Sequence, residues 1–149
     1  MTASVTDGAA VGSRRAIPAV TVDDEPFWKS GADGVLRMQL CRSCGKYQHP
    51  PSPVCFRCLS RDVAFEPVSG RATVYTYTIN HQQWSPDLEV PFAVIIAELV
   101  EQSGLRFATR LVDIEDLSQV RIGMEVEVRF ERVDGDLYIP LFVPVGGAE

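Results

Sequence analysis

A mainly β fold is predicted, built from a short N-terminal helix, a small cysteine-rich module and a five-stranded barrel. Three observations predict it. Every cysteine of the 149-residue chain falls in one of two close pairs, Cys41-Arg42-Ser43-Cys44 and Cys55-Phe56-Arg57-Cys58. From about Gly70 onward, β-branched and aromatic runs alternate with turn signals. Ahead of the cysteines stands a single aromatic segment with helix-start residues. With 46% hydrophobic and 23% charged residues, the chain can bury an ordinary core, which excludes wholesale disorder.

Residues 1–20 are rich in Ala, Gly, Ser, Thr and Val without periodicity and read as a flexible tail. Residues 21–34 form the N-terminal helical segment. Asp23 or Asp24 can cap it, Pro26 suits its first turn, and Gly31 or Gly34 stops it. About two turns are expected, too few to stand alone in water, so Phe27 and Trp28 must dock on something.

Residues 35–66 hold the cysteine module. Val35 to Leu40 alternates as a strand, with Leu36, Met38 and Leu40 on one face and Arg37 and Gln39 on the other. Between the pairs, Pro50, Pro51 and Pro53 argue against regular structure.

Residues 67–146 supply the strands. Ala72 to Asn80 and the apolar run Phe92 to Leu99 come first. A Gln102-Ser103-Gly104 turn then leads to Leu105, Phe107, Thr109 and Leu111 in alternation. Asp113 to Gln119 reads as a short helical connection. Met124, Val126, Val128 and Phe130 alternate with charged residues, and Asp134-Gly135 signals a hairpin into Leu137 to Val143. Five strands with a helical segment between the third and fourth match a Greek-key barrel of the OB type. A half-open sandwich is the alternative.

The cysteines carry the clearest chemistry. Two tight C-x2-C turns deliver four thiolates to a tetrahedron, which makes Cys41, Cys44, Cys55 and Cys58 the expected metal ligands. Gly45 follows the first pair, where such a turn favours a positive φ; Leu59 stands at the matching place after the second. Four thiolates leave no open position for water, so the metal is structural, and zinc is expected before rubredoxin-like iron. A ribbon of roughly 30 residues is too small to fold on apolar burial alone, so the metal replaces the missing core.

No catalytic residue is assigned. His49 reads as a surface-loop histidine once four cysteines are available. His81 lacks a credible nucleophilic partner, because the cysteines are committed and Ser85 lies in a proline-flanked loop. Trp84, in the otherwise polar loop from His81 to Pro91, is either a contact residue or folded back on the barrel.

Net charge is −6, which argues against nonspecific binding to nucleic acid or anionic membrane. Residues 35–61 contain five basic side chains and no acid, so the remainder carries −11 (−6 minus +5). That basic ribbon could meet phosphate or an acidic surface, or merely solvate the module. No run approaches the roughly 18 apolar residues of a membrane helix. The N-terminus lacks secretory-signal features, and a cytoplasmic protein is expected.

Taken together, certain residues resemble the domain-of-unknown-function 35 family. They are Pro26-Phe27-Trp28, Gly34-Val35-Leu36, Gln39, Cys41-x2-Cys44-Gly45, Pro50-Pro51, Cys55-x2-Cys58, Gly70, Val74-Tyr75-Thr76-Tyr77 and Ile122-Gly123-Met124. The resemblance runs from about Glu25 to Pro144. It implies a helical segment, a rubredoxin-like zinc ribbon and an OB-fold. It further implies a noncatalytic accessory subunit of a thiolase-like enzyme that handles acyl-CoA, in thiolysis, acyl transfer or retro-aldol cleavage such as steroid side-chain degradation. Acyl-CoA would be a ligand shared with that partner. Phe27, Trp28 and Trp84, large apolar groups in short segments, are the expected partner contacts. A single-stranded nucleic-acid-binding protein is the alternative, with Tyr75 and Tyr77 as stacking groups.

Overall fold

The computed structural model describes residues 2–7 and 17–146. Nine strands are seen among them: β1 (Val5–Asp7), β2 (Arg37–Cys41), β3 (Tyr47–Gln48), β4 (Val63–Pro67), β5 (Arg71–Asn80), β6 (Phe92–Leu99), β7 (Arg106–Leu111), β8 (Glu125–Asp134) and β9 (Leu137–Pro144). Helix α1 is Glu25–Trp28, and single 3-10 turns lie at Ser30–Ala32 and Leu117–Gln119.

Strands β5 to β9 close a five-stranded barrel in the order β5-β6-β7-β9-β8, with β8 returning to β5. This is the OB-type barrel expected from the sequence. Its weakest seam is β7–β9, a parallel pair matched only at Leu111 and Phe142. Pro140 can donate no backbone hydrogen to extend that ladder, and the Thr109 hydroxyl donates instead to the Pro140 carbonyl at 2.6 Å. Ile95, Leu99, Val126, Phe130 and Phe142 fill the barrel.

The first residues depart from the expected tail. β5 pairs with β8 only through Arg71–Thr73, opposite Glu125–Glu127. Farther along β8 that edge is open, and Val5–Asp7 pairs in parallel with Phe130–Arg132. Phe130 N–H donates to the Ser4 carbonyl at 3.0 Å and Ala3 N–H to Gly34 at 2.8 Å. These bonds are made by backbone, which needs no apolar periodicity. Residues 8–16 of the expected tail lie outside the described residues.

The helical segment has about the two turns expected, but only the first is α; the second is a 3-10 turn. Asp24 holds the approach to the helix, accepting from the Thr21 amide at 2.6 Å and hydroxyl at 2.9 Å. Gly31 lets the segment lie flat on β9, because a Cβ there would come within 2.4 Å of the Tyr138 side chain. Phe27, Leu36 and Met38 share one continuous core with the barrel residues, so helix, ribbon and barrel are packed as a unit.

The ribbon is a three-stranded sheet in the order β3-β2-β4. The prolines leave room for β3 just ahead of them, a strand absent from the sequence reading. Two crosslinks fasten the ribbon to the barrel. Gln102, in the β6–β7 turn, brackets Tyr47 by accepting its N–H at 2.9 Å and donating to its carbonyl at 3.0 Å. Val68 N–H donates to the Leu36 carbonyl at 2.9 Å.

Candidate metal centre and aromatic groove

The two cysteine pairs fold into matching knuckles. In the first, Gly45 N–H donates to the Cys41 carbonyl at 2.8 Å and Cys41 N–H to Lys46 at 2.9 Å. In the second, Leu59 N–H donates to Cys55 at 3.0 Å and Cys55 N–H to Ser60 at 2.8 Å. Both need a left-handed residue after the pair. Gly45 takes φ 70° and Leu59 φ 61°, the latter against the steric preference of a side chain. Ser43 and Ser60 join the knuckles by a 2.7 Å hydroxyl contact.

All four sulfurs lie within 4.8 Å of one another, with Cys41–Cys58 at 3.6 Å and Cys44–Cys55 at 3.7 Å. Zinc–sulfur bonds of about 2.3 Å in a tetrahedron put sulfurs about 3.8 Å apart. The donor set fits a structural zinc. The backbone N–H groups of Cys58 and Arg57 bring the Cys55 thiol down to about 6, and Arg57 N–H reaches its sulfur at 3.4 Å. Cys58 is pushed up to about 12. The Ser60 N–H alone would lower it, but desolvation and the Cys41 and Cys55 thiols outweigh that bond. Crowded thiolates repel, and a divalent cation is what lets the whole set ionise.

A buried amide pair holds the loop between the knuckles. Gln48 Nε2 donates to Gln39 Oε1 at 2.6 Å and to the Val54 carbonyl at 3.1 Å, while Ser52 N–H donates to Gln39 at 2.9 Å. Phe56 N–H donates to Gln48 Oε1 at 2.9 Å. Gln39, expected on the polar face of its strand, is therefore buried, since its amide serves the proline-rich backbone that has few partners of its own. The alternation of β2 puts Met38 in the core and carries no sign of this role for Gln39.

Beside the seam between β7 and β9 lies a groove of about 260 Å³. One wall is β7 from Phe107 to Arg110, another is Ile139–Leu141 of β9, and the helix and ribbon contribute Phe27, Trp28 and His49. The rings interlock: Phe27 lies 5.0 Å from Trp28, 4.9 Å from His49 and 5.5 Å from Phe107, centroid to centroid. At its margin the Arg110 guanidinium stacks over Phe92 at 4.3 Å.

This arrangement corrects two readings. Phe27 is 3% exposed and is a core residue whose edge forms groove wall, so it is not an exposed partner anchor. His49 is not a surface-loop residue, and burial lowers its pKa, which favours the neutral imidazole. Trp28 is half-buried on the groove. Trp84 stands out from the barrel at 77% exposure, its indole N–H donating to Asn80 Oδ1 at 3.0 Å. His81 is exposed, and no hydrogen bond joins it to a serine or cysteine among the described residues. No helix among them is long and apolar enough to cross a membrane.

Family models described as the ChsH2 rubredoxin-like zinc ribbon domain and the ChsH2 C-terminal OB-fold domain match residues 28–64 and 65–131. A solved chain of the Ltp2-ChsH2(DUF35) aldolase is 33% identical with a TM-score of 0.76, covering 86% of this chain and 98% of that one. The chain belongs to the DUF35 family. A DUF35 protein of unknown function from Sulfolobus solfataricus, 14% identical with a TM-score of 0.59, covers 83% of this chain and 85% of its own, and shows the same fold.

Two curated relatives are longer. A probable enoyl-CoA hydratase alpha subunit of Thermomonospora curvata is 33% identical over 127 residues, 85% of this chain. The 3-oxo-4,17-pregnadiene-20-carboxyl-CoA hydratase alpha subunit of Mycobacterium tuberculosis is 31% identical over 113 residues, 76% of this chain. This DUF35 chain spans only 39% and 35% of their respective lengths.

Proposed function

We propose that this chain is a noncatalytic accessory subunit that docks on a thiolase-like enzyme in the cytoplasm and helps form its acyl-CoA site. The reaction would be thiolysis, acyl transfer or retro-aldol cleavage, as in steroid side-chain degradation. The observation that carries this reading is the groove: a largely apolar, aromatic cleft made jointly by helix, ribbon and barrel, whose one hydroxyl, Thr109, donates to the Pro140 carbonyl rather than to its one histidine, His49. Such a surface can take an acyl chain or the fused rings of a steroid, but it holds no group to make or break a carbon–carbon bond. The four thiols are engaged at the metal centre, which is closed.

The relatives' names support the class, since two are alpha subunits of CoA-thioester hydratases and one solved homologue is part of an aldolase named for two components. The nucleic-acid alternative loses ground. Arg106 already lies over the Tyr75 ring at 3.4 Å, and a net charge of −6 opposes phosphate. Trp84 and the groove edge of Trp28 are the remaining candidate contacts from the aromatic set.

The test is co-expression with a thiolase-like protein encoded beside this chain. The isolated chain should turn over no acyl-CoA, and the thiolase-like protein should become soluble or active only in its presence. Substantial cleavage or condensation by the isolated chain would overturn the reading.

A further inference from the structure

The second zinc knuckle carries two large apolar side chains that are mostly exposed. Phe56 is 58% exposed and Leu59 is 74% exposed. Leu59 is the more telling, because it occupies a left-handed conformation, φ 61°, in the place where the first knuckle has Gly45. A side chain there strains the backbone and recovers little burial within the described chain. The backbone that carries Phe56 is held, since its N–H donates to Oε1 of the buried Gln48 at 2.9 Å.

Around this pair cations predominate, and the nearest acid in sequence is Asp62. Residues 35–61 hold five basic groups and no acid, against −11 in the rest of the chain. Arg37 and Arg42 are engaged by Asp33 and Glu66. Lys46, Arg57 and Arg61 are exposed, and none of the three forms an ion pair with a described residue. Arg57 shares the turn with Phe56 and Leu59, and Arg61 follows it directly. An apolar centre bordered by arginine is the composition of a protein interface core and rim.

We propose that the second knuckle is a docking surface for a partner protein that offers an apolar socket rimmed by carboxylates. Charge complementarity argues for that occupant: the cations attract carboxylates and set register, while Phe56 and Leu59 fill the socket. Identifying the partner with the thiolase-like enzyme rests on the function proposed above; the surface itself does not. Phe56 and Leu59 do not line the groove, and they give the basic ribbon noted in the sequence an apolar centre.

The experiment uses the full zinc-loaded chain and the co-expressed thiolase-like protein, with affinity measured by titration calorimetry at low and high salt. Leu59→Gly relieves the strained φ, so zinc content and melting temperature should be retained. Leu59→Gly combined with Phe56→Ala should weaken the complex by about 30-fold or more, the loss typical of interface anchors. Arg57→Glu with Arg61→Glu should weaken it further at low salt than at high salt. Unchanged affinity in the apolar double variant, with zinc intact, overturns the proposal. Wild-type chain that does not bind the thiolase-like protein at all sinks the functional reading and removes this partner from the surface with it. Two control arms omit the thiolase-like protein and compare wild type with single variants. Self-association lost in Leu59→Gly would assign the knuckle to a second copy, and binding of a single-stranded RNA 12-mer lost in Phe56→Ala would assign it to nucleic acid. Either result overturns the proposal.

Discussion

Replacing Phe27 by alanine separates a core residue from a partner anchor. The ring sits among Trp28, His49 and Phe107 at 4.9 to 5.5 Å and is 3% exposed. Truncating a buried phenylalanine costs about 3–5 kcal/mol, from lost transfer energy plus the cavity left behind. Here the vacated space opens into the 260 Å³ groove, so water or Trp28 can partly fill it, and the low end, about 3 kcal/mol, is expected. For a chain of this size that is a fall in melting temperature of about 6–12 °C. Thermal unfolding followed by circular dichroism reads the shift, and a chromogenic chelator assay confirms that zinc remains bound. A melting temperature within about 2 °C of wild type, together with lost partner binding, would refute the reasoning and restore Phe27 as an interface anchor.

Three further outcomes follow from the same geometry. One zinc per chain should be found by elemental analysis, and Cys41→Ser or Cys58→Ser should unfold the ribbon while the barrel partly survives; absence of stoichiometric metal refutes the site, and stoichiometric iron refutes zinc. Burial holds the His49 imidazole below its ordinary 6.5, so the unfolded chain takes a proton that the fold resists. Stability should therefore fall as pH drops through 6.5 and level off below the folded pKa. Urea midpoints across that window should fall less for His49→Phe than for wild type, and parallel profiles would show that His49 is not the source. Gln39→Leu leaves the Ser52 N–H and one Gln48 donor without their buried acceptor, which should cost about 2–4 kcal/mol by urea unfolding; a loss under about 1 kcal/mol would mean the loop finds other partners.

The legible parts of this molecule were those where side chains carry the information. Cysteine spacing announced the knuckles, because coordination geometry is local. The alternation in β8 announced a barrel strand, because one face must meet the core. β1 was illegible, since a parallel pairing at an open edge is made by backbone and asks little of Val5, Thr6 or Asp7. β3 was masked by the prolines that follow it. Gln39 looked like solvent-facing polarity, and only the proximity of a donor-poor proline loop shows why an amide belongs inside. His49 and Phe27 were misjudged for one reason: each comes from a different short segment, and the groove that buries them exists only once all three parts have packed.

That joint construction bears on what a metal in the ribbon would do for the groove. Zinc does not touch the groove. It closes the knuckles, which fixes Cys41 at the end of β2 and Cys55 beside Phe56. β3 pairs with β2 through Leu40 and Gln39, and the Gln48 amide ties β3 to the second knuckle. His49 is the next residue, and it forms groove wall against Phe27 and Phe107. The metal thus acts on the cleft at one remove, by holding a loop that apolar burial could not hold in a ribbon of roughly 30 residues. Under the function proposed above, the cleft works by its shape and must present that shape before a ligand arrives, because ordering a wall on binding would subtract from affinity. A closed, inert tetrathiolate centre gives that rigidity without adding reactivity beside the cleft.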